Sequence, residues 1–271
     1  MSPTRIACAQ LALDIDRPDQ NAEVGLAAIA TAVDAGAQVV VLPELANTGY
    51  AFRDRDELRA RSESPDGPTV TAWIDAARRF GIVLAAGFAE LAPDGTLYNS
   101  AVLIDRGDLL AVYRKAHLWD YEKELFTPGG ERPPVVETGV GRLGLMICYD
   151  LEFPEWVRVV ADAGAQLLCA PTNWPLFPFP EDQTPSEVFR VQADASVNRM
   201  VIAACDRTGS ERGVDWLGGS VIVDVEGYRA TPAHLGEPAM ILADIDLATA
   251  LDKTVGPRND MLADRRADLY P

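Results

Sequence analysis

The chain has 271 residues, which suits one large domain or two small ones and buries roughly three quarters of the unfolded surface. Hydrophobic residues make up 48% and charged residues 24%, the profile of a globular protein that needs no disulfide or metal staple. A net charge of −17 excludes nucleic acid and anionic membrane surfaces as partners, because the long-range field repels phosphate.

In chain order, short apolar runs alternate with helical stretches, the pattern of an α/β fold. Strands are predicted over Arg5–Leu13, Gln38–Pro43, Ile82–Glu90, Leu97–Asp105 and Leu109–Arg114, then Pro134–Glu137, Gly141–Cys148, Gln166–Ala170, Met200–Cys205, Ser220–Val223 and Ala239–Ile245. Helices are predicted over Asp19–Ala35, Pro68–Phe80, Pro154–Ala163 and Pro185–Asn198, three of them opening on a proline whose missing N–H costs nothing in the first turn. Asp94-Gly95 signals a hairpin, and Glu226-Gly227 a weaker one. Ala35-Gly-Ala-Gln38 leads into a buried strand and a proline, and Ala163-Gly-Ala-Gln166 does the same, a hint of two similar halves facing each other. No linker divides the chain, so residues 1–271 read as a single domain.

Three strands end in a chemically capable side chain. Val39-Val-Val-Leu-Pro-Glu44 brings a carboxylate to the mouth of a buried sheet, where partial desolvation would raise its pKa toward that of a general base. Val112-Tyr-Arg-Lys115 brings an ammonium able to steady an oxyanion, and the stretch after it offers a second carboxylate in Glu122. Gly144-Leu-Met-Ile-Cys148-Tyr-Asp brings a thiol to a strand–turn–helix corner, the edge where α/β enzymes build their sites. Each alone has a plain alternative, a solvated strand end or a buried core cysteine. Together they supply a nucleophile, a base and a fixed positive charge. His117 lies close enough in sequence for a Cys–His pair to be the local rival.

These segments resemble the nitrilase, or carbon–nitrogen hydrolase, superfamily. The resemblance rests on Leu42-Pro-Glu44, Tyr113-Arg-Lys115-Ala-His-Leu118, Phe126-Thr-Pro-Gly129, Gly141-Arg-Leu-Gly-Leu-Met-Ile-Cys148-Tyr-Asp and Pro171-Thr-Asn-Trp-Pro175, in the family's order from the first strand to about residue 246. It implies an α-β-β-α sandwich with two facing mixed sheets. It also implies Glu44 as base, Lys115 as electrostatic stabiliser, Cys148 as nucleophile, the Tyr149 N–H as an oxyanion donor and Glu122 as the additional glutamate. Glu124 is the fallback, since a loop of variable length precedes it. The implied enzyme is an amidase acting on a small carboxamide through a thioester, without cofactor or metal. The alternatives are an N-carbamoyl amide hydrolase, an ω-amidase on a dicarboxylate monoamide, or a true nitrilase. A non-catalytic binding protein on the same fold would have no need of the complete set. The resemblance also implies at least a homodimer, with the tail after about residue 247 crossing to a partner.

Tyr50, Trp119, Tyr121, Trp174 and Phe177 adjoin these motifs and could wall an apolar pocket, with Asn173 beside them. Arg190 and Arg207 could receive a substrate carboxylate, although a surface position is the plainer expectation for each. Cys8, Cys169 and Cys205 read as small core residues, and four widely spaced cysteines with two histidines resemble no metal or disulfide framework. Met1-Ser-Pro-Thr-Arg5 runs into a strand without a cleavage pattern, and no apolar run reaches the roughly 18 residues of a membrane span. A cytoplasmic location is therefore expected.

Overall fold

A computed structural model describes residues 3–232 and 234–269. β-branched and aliphatic runs form two sheets. In the first, β1 (Thr4–Gln10), β2 (Val39–Val41) and β3 (Val83–Leu91) are parallel neighbours. β4 (Leu97–Asp105) and β5 (Asp108–Arg114) extend it antiparallel past β3. In the second, β6 (Val135–Thr138) pairs antiparallel with β7 (Gly141–Leu145), which runs parallel to β8 (Leu167–Pro171) and β9 (Val201–Cys205). β10 (Val221–Val223) closes that sheet antiparallel to β9, whereas β11 (Ala239–Ile245) returns to pair antiparallel with β1 of the first.

Side-chain alternation decides how the sheets stack. Along β1, Ile6 and Cys8 enter the inter-sheet core with Val39, Val41, Val83, Leu145, Leu167 and Cys169. Ala7 and Ala9 face the other way, onto α1 (Pro18–Asp34) and α3 (Pro68–Phe80), where Ile29 and the wholly buried Trp73 cover them. α5 (Pro154–Asp162) and α6 (Ser186–Asn198) cover the second sheet through Val157, Val160, Val188 and Val191. The molecule is an α-β-β-α sandwich of two mixed sheets, as the sequence predicted.

The two repeated tetrapeptides do the same work in each half. Gln38 Oε1 accepts the Arg5 N–H (3.2 Å) while Arg5 Nη1 donates to the Ala35 carbonyl (2.8 Å). Gln166 Oε1 accepts the Arg142 N–H (3.0 Å) while Arg142 Nη2 donates to the Ala163 carbonyl (2.8 Å). Each glutamine thus pins the start of one parallel pair, β1–β2 in one half and β7–β8 in the other.

Some boundaries differ from expectation. β1 stops at Gln10 rather than Leu13, and β7 at Leu145 rather than Cys148, because Cys148–Glu152 form a 3₁₀ turn. α2 (Arg55–Arg61) is an additional helix, started by Asp54 accepting the Glu57 N–H at 2.8 Å. It buries only Leu58, so no apolar stripe announces it. α4 (Glu122–Leu125) is a single turn. After a short 3₁₀ turn at Leu247–Leu251, the tail lies along α5 and the end of α6. There Lys253 Nζ donates to the Asn198 and Arg199 carbonyls, and Arg265 pairs with Asp162.

Candidate active site

Strand ends of both sheets meet at one place. The chain reaches Glu44 from β2 through Leu42-Pro43, and the Glu44 N–H donates across to the Thr172 carbonyl beyond β8 (3.4 Å). β3 passes so close that Gly87 must lack a side chain: a Cβ there would lie 2.5 Å from Glu44 Cα and 2.7 Å from the Leu45 nitrogen. Lys115 follows β5, and the Phe126-Thr-Pro-Gly129 segment folds back on it, the Gly129 N–H donating to the Lys115 carbonyl (2.8 Å).

Lys115, Glu44 and Glu122 are all essentially excluded from solvent. Lys115 Nζ donates to Glu44 Oε1 at 2.6 Å and to Glu122 Oε1 at 2.8 Å. Asn99, in the middle of β4, donates through Nδ2 to the same two oxygens, at 2.6 and 3.1 Å. Glu122 also accepts the Tyr50 hydroxyl on Oε1 (2.7 Å) and the Trp119 N–H on Oε2 (2.8 Å). Glu124, by contrast, is exposed. Among the described residues Glu44 Oε2 has no partner.

One ammonium between two carboxylates leaves a net negative charge in a dry place. Burial, opposed by Lys115 and reinforced by Glu122, pushes Glu44 up to about 7. Burial alone would lower Lys115, but Glu122 and Glu44 together hold its ammonium well above the ordinary lysine value. Burial and the Glu44 charge raise the Cys148 thiol well above its ordinary value, Lys115 opposing them. The thiol is therefore protonated at rest and lies within electrostatic reach of both groups.

Cys148 sits just past β7 with φ +46°, a left-handed conformation that few non-glycine residues adopt. Its turn is held by the buried Asp150, which accepts the Ile147 N–H (3.2 Å), the Tyr113 hydroxyl (2.8 Å) and the His117 N–H (3.0 Å). Asp150 also pairs with His117 Nδ1 at 2.7 Å, and the imidazole stacks on Phe153. His117 thus braces the turn through Asp150, and none of its hydrogen bonds reaches Cys148. The Tyr149 N–H stands in the first turn after Cys148, where helix-start donors lack intrahelical partners. The Asn173 carbonyl lies 3.8 Å from Cys148 Sγ, and neither side-chain polar atom of the buried Asn173 has a partner among the described residues. Asp206, after β9, fixes this loop by accepting the Trp174 N–H at 2.9 Å.

Two spaces that share Trp119, Pro175 and Phe177 as walls open here. A cleft of about 20 Å³ is lined by Cys148, Tyr149, Asn173, Trp174, Trp119 and Phe177. Beside it a cavity of about 510 Å³ is walled by Tyr50, Trp119, Phe126, Phe177 and Trp216, reaches Glu122, and has the half-exposed Tyr121 at its rim. Sequence reasoning missed Asn99 and Trp216. A polar Asn99-Ser100 pair inside an otherwise apolar buried strand was the available signal for the first; nothing local marks the second.

The arginines need correction. Arg207 is not on the surface but wholly buried, because Glu211 and the Leu13 carbonyl bind its guanidinium inside the protein. Arg190 is half-buried and paired with Glu152 at 3.0 Å. Arg207 is thus not free to receive a substrate carboxylate, and Arg190 is not among the residues that line the spaces beside Cys148.

The carbon–nitrogen hydrolase family model matches residues 5–252. The chain is 35% identical over 267 residues to a protein named nitrilase from Pyrococcus abyssi, covering 98% of each. It is 32% identical to a 2-oxoglutaramate amidase of Bacillus subtilis, again covering 98% of each. An amidase structure from Nesterenkonia sp. superposes with a TM-score of 0.81 at 32% identity, over 99% of this chain and 95% of that one. A variant of that amidase has been solved with acrylamide added at its active-site cysteine.

Proposed function

The chain belongs to the carbon–nitrogen hydrolase family, in the amidase-like branch of the nitrilase superfamily, and from that premise we propose that it hydrolyses a small uncharged carboxamide to acid and ammonia through a thioester on Cys148. The observation that carries this reading is a buried ammonium shared by two carboxylates, one of which keeps a free oxygen, beside a buried thiol.

Lys115 and Asn99 occupy Glu44 Oε1, so Oε2 is the oxygen left to take the thiol proton. As that proton moves, Cys148 Sγ bonds to the amide carbon and the carbonyl π pair moves to oxygen, facing the Lys115 ammonium and the Tyr149 N–H. Collapse breaks the C–N bond, and the leaving nitrogen takes the proton from Glu44 and departs as ammonia. Water then gives its proton to Glu44 and attacks the thioester, and the thiol is restored as the acid leaves. A base near 7 suits both transfers at neutral pH. Glu122 holds the other side of Lys115 and keeps it from following the proton. A cytoplasmic location belongs to this reading, since the thiol must stay reduced.

The walls suggest the acyl group. They are largely aromatic, and the arginines among them face carboxylates of the chain itself. Arg212 donates to both Glu57 oxygens at 2.8 Å and pairs with Asp16, while Arg53 lies 4.0 Å from Asp16. A dicarboxylate monoamide would bring its carboxylate to a pocket where Arg212 is already bound to Glu57 and Asp16, leaving the largely exposed Arg53 as the lining cation open to it.

The test is ammonia release from propionamide, hexanoamide, glutaramate, an N-carbamoyl amine and propionitrile. Propionamide is expected to show the highest kcat/KM. Cys148→Ala should fold normally and lose roughly 10⁴-fold or more in kcat. A preference for glutaramate would overturn the uncharged-substrate reading, and near-wild-type turnover by Cys148→Ala would overturn the nucleophile.

A further inference from the structure

Arg207 and Glu211 lie outside the reacting groups, yet they form a densely bonded buried ion pair at the back of the cavity. Both Glu211 oxygens are saturated. Oε1 accepts the Ile15 N–H (2.7 Å) and Arg207 Nη2 (3.2 Å); Oε2 accepts the Tyr50 N–H (2.7 Å), the Ala51 N–H (2.8 Å) and Arg207 Nη1 (3.1 Å). A buried charge pair offers little net stability over an apolar replacement, so its presence asks for another reason. Here the bonds converge on Tyr50. Its backbone is clamped by Glu211, its ring meets Trp216 edge-on at 5.1 Å, and its hydroxyl ends on Glu122 Oε1. The Arg207 guanidinium lies over the Trp216 ring at 4.7 Å, so one pair holds both the Tyr50 main chain and the ring that its side chain meets.

We propose that Arg207 and Glu211 are positioning residues for amide hydrolysis: they set the Tyr50 hydroxyl on Glu122, and through Glu122 the place of the Lys115 ammonium, while Arg207 backs the Trp216 wall. The proposal rests on the reading that Glu122 and Lys115 serve the reaction. Tyr50 is the link. With its main chain tied down at residues 50 and 51, its hydroxyl reaches one oxygen of a carboxylate that also binds Lys115 and Asn99. A displaced ring would leave that oxygen a donor short and allow the ammonium to drift from the oxyanion.

A double-mutant cycle on the full-length enzyme tests this. Glu211→Gln keeps the shape but turns an acceptor into an amide that presents N–H groups to N–H groups, so Tyr50 loses its anchor. Tyr50→Phe removes only the hydroxyl. If Glu211 acts through Tyr50, each single change lowers kcat about tenfold and the double variant is also down about tenfold, because the second change removes a contact already lost. If losses multiply to about a hundredfold, Glu211 acts independently and the proposal is overturned. Should Glu211→Gln fail to fold, Arg207→Lys enters the same cycle. It keeps the charge but not the fork or the flat face under Trp216, and it should also raise the hexanoamide-to-propionamide ratio of kcat/KM. A multiplicative cycle overturns the proposal here as well, and an unchanged ratio overturns the role of Arg207 behind Trp216. Glu122→Gln separates this failure from failure of the site itself: if it keeps wild-type turnover, the premise falls along with the proposal, whereas an inactive Glu122→Gln with a multiplicative cycle removes the brace alone.

Discussion

At the scale of single residues, the site is governed by how much charge one ammonium can balance. Lys115 compensates one carboxylate fully, and Glu44 carries the consequence, an affinity for protons pushed up to about 7. With ionised Glu44 as the proposed base, kcat/KM should fall about tenfold per pH unit as the solution becomes more acid than about 7. A pH profile flat down to pH 5 would remove Glu44 from that role. The same shift has a stability consequence of opposite direction. Glu44 rises from 4.5 to about 7 on folding, so its contribution is fully present below about 4.5 and is lost as pH rises through about 7. Melting curves of Glu44→Gln and wild type should therefore diverge in the variant's favour between pH 5 and pH 8. Glu44, Lys115 and Cys148 are legible in the sequence because each interrupts the pattern at the end of an apolar strand. Asn99 is harder to find, since its partners come from residues 44, 115 and 122 and nothing beside it in sequence explains it.

At the scale of elements, the placement depends on close approaches that local propensity does not announce. β3 can run beneath Glu44 only because residue 87 has no Cβ. Gly87→Ala would set a methyl group 2.5 Å from Glu44 Cα and 2.9 Å from the Pro43 carbonyl oxygen, both backbone atoms with no rotamer to move aside. The strand end must shift, which should cost about 1–3 kcal/mol of stability. Activity should fall further, about a hundredfold, because displacements near 1 Å are enough to spoil a catalytic contact. Denaturant unfolding and steady-state kinetics on one preparation would check both; an active, unshifted Gly87→Ala would show that β3 does not position the base. The turn after β7 shows the same dependence. The sequence continues the strand to Cys148, but Asp150 gathers Ile147, Tyr113 and His117 and bends the chain there.

At the scale of the molecule, the sandwich leaves one outer face underdressed. Phe189 and Val197 on α6 are 65% and 41% exposed, and Leu251 and Val255 in the adjoining tail are 62% and 51% exposed. We propose that a second copy covers this face, the tail after about residue 247 forming part of the contact, since apolar area of this kind gains from leaving water. Light scattering should report a dimer or larger assembly, and Phe189→Glu should weaken it; a wild-type chain monomeric at micromolar concentration would reject the assembly.

Most strands and the three strand-end groups were legible in the sequence, because apolar runs are local consequences of which face of a strand is buried; the layered sandwich came with the family resemblance. The sequence also carried the repeated tetrapeptide of the two halves, although the bonds its glutamines make span 24 and 33 residues and belong to the tertiary structure. Tertiary structure alone decided that His117 serves Asp150, that Arg207 is buried, that Trp216 walls the cavity and that Glu122 rather than Glu124 turns inward. Each of these depends on a partner brought from far along the chain, and a buried polar group is stable only where such partners arrive together.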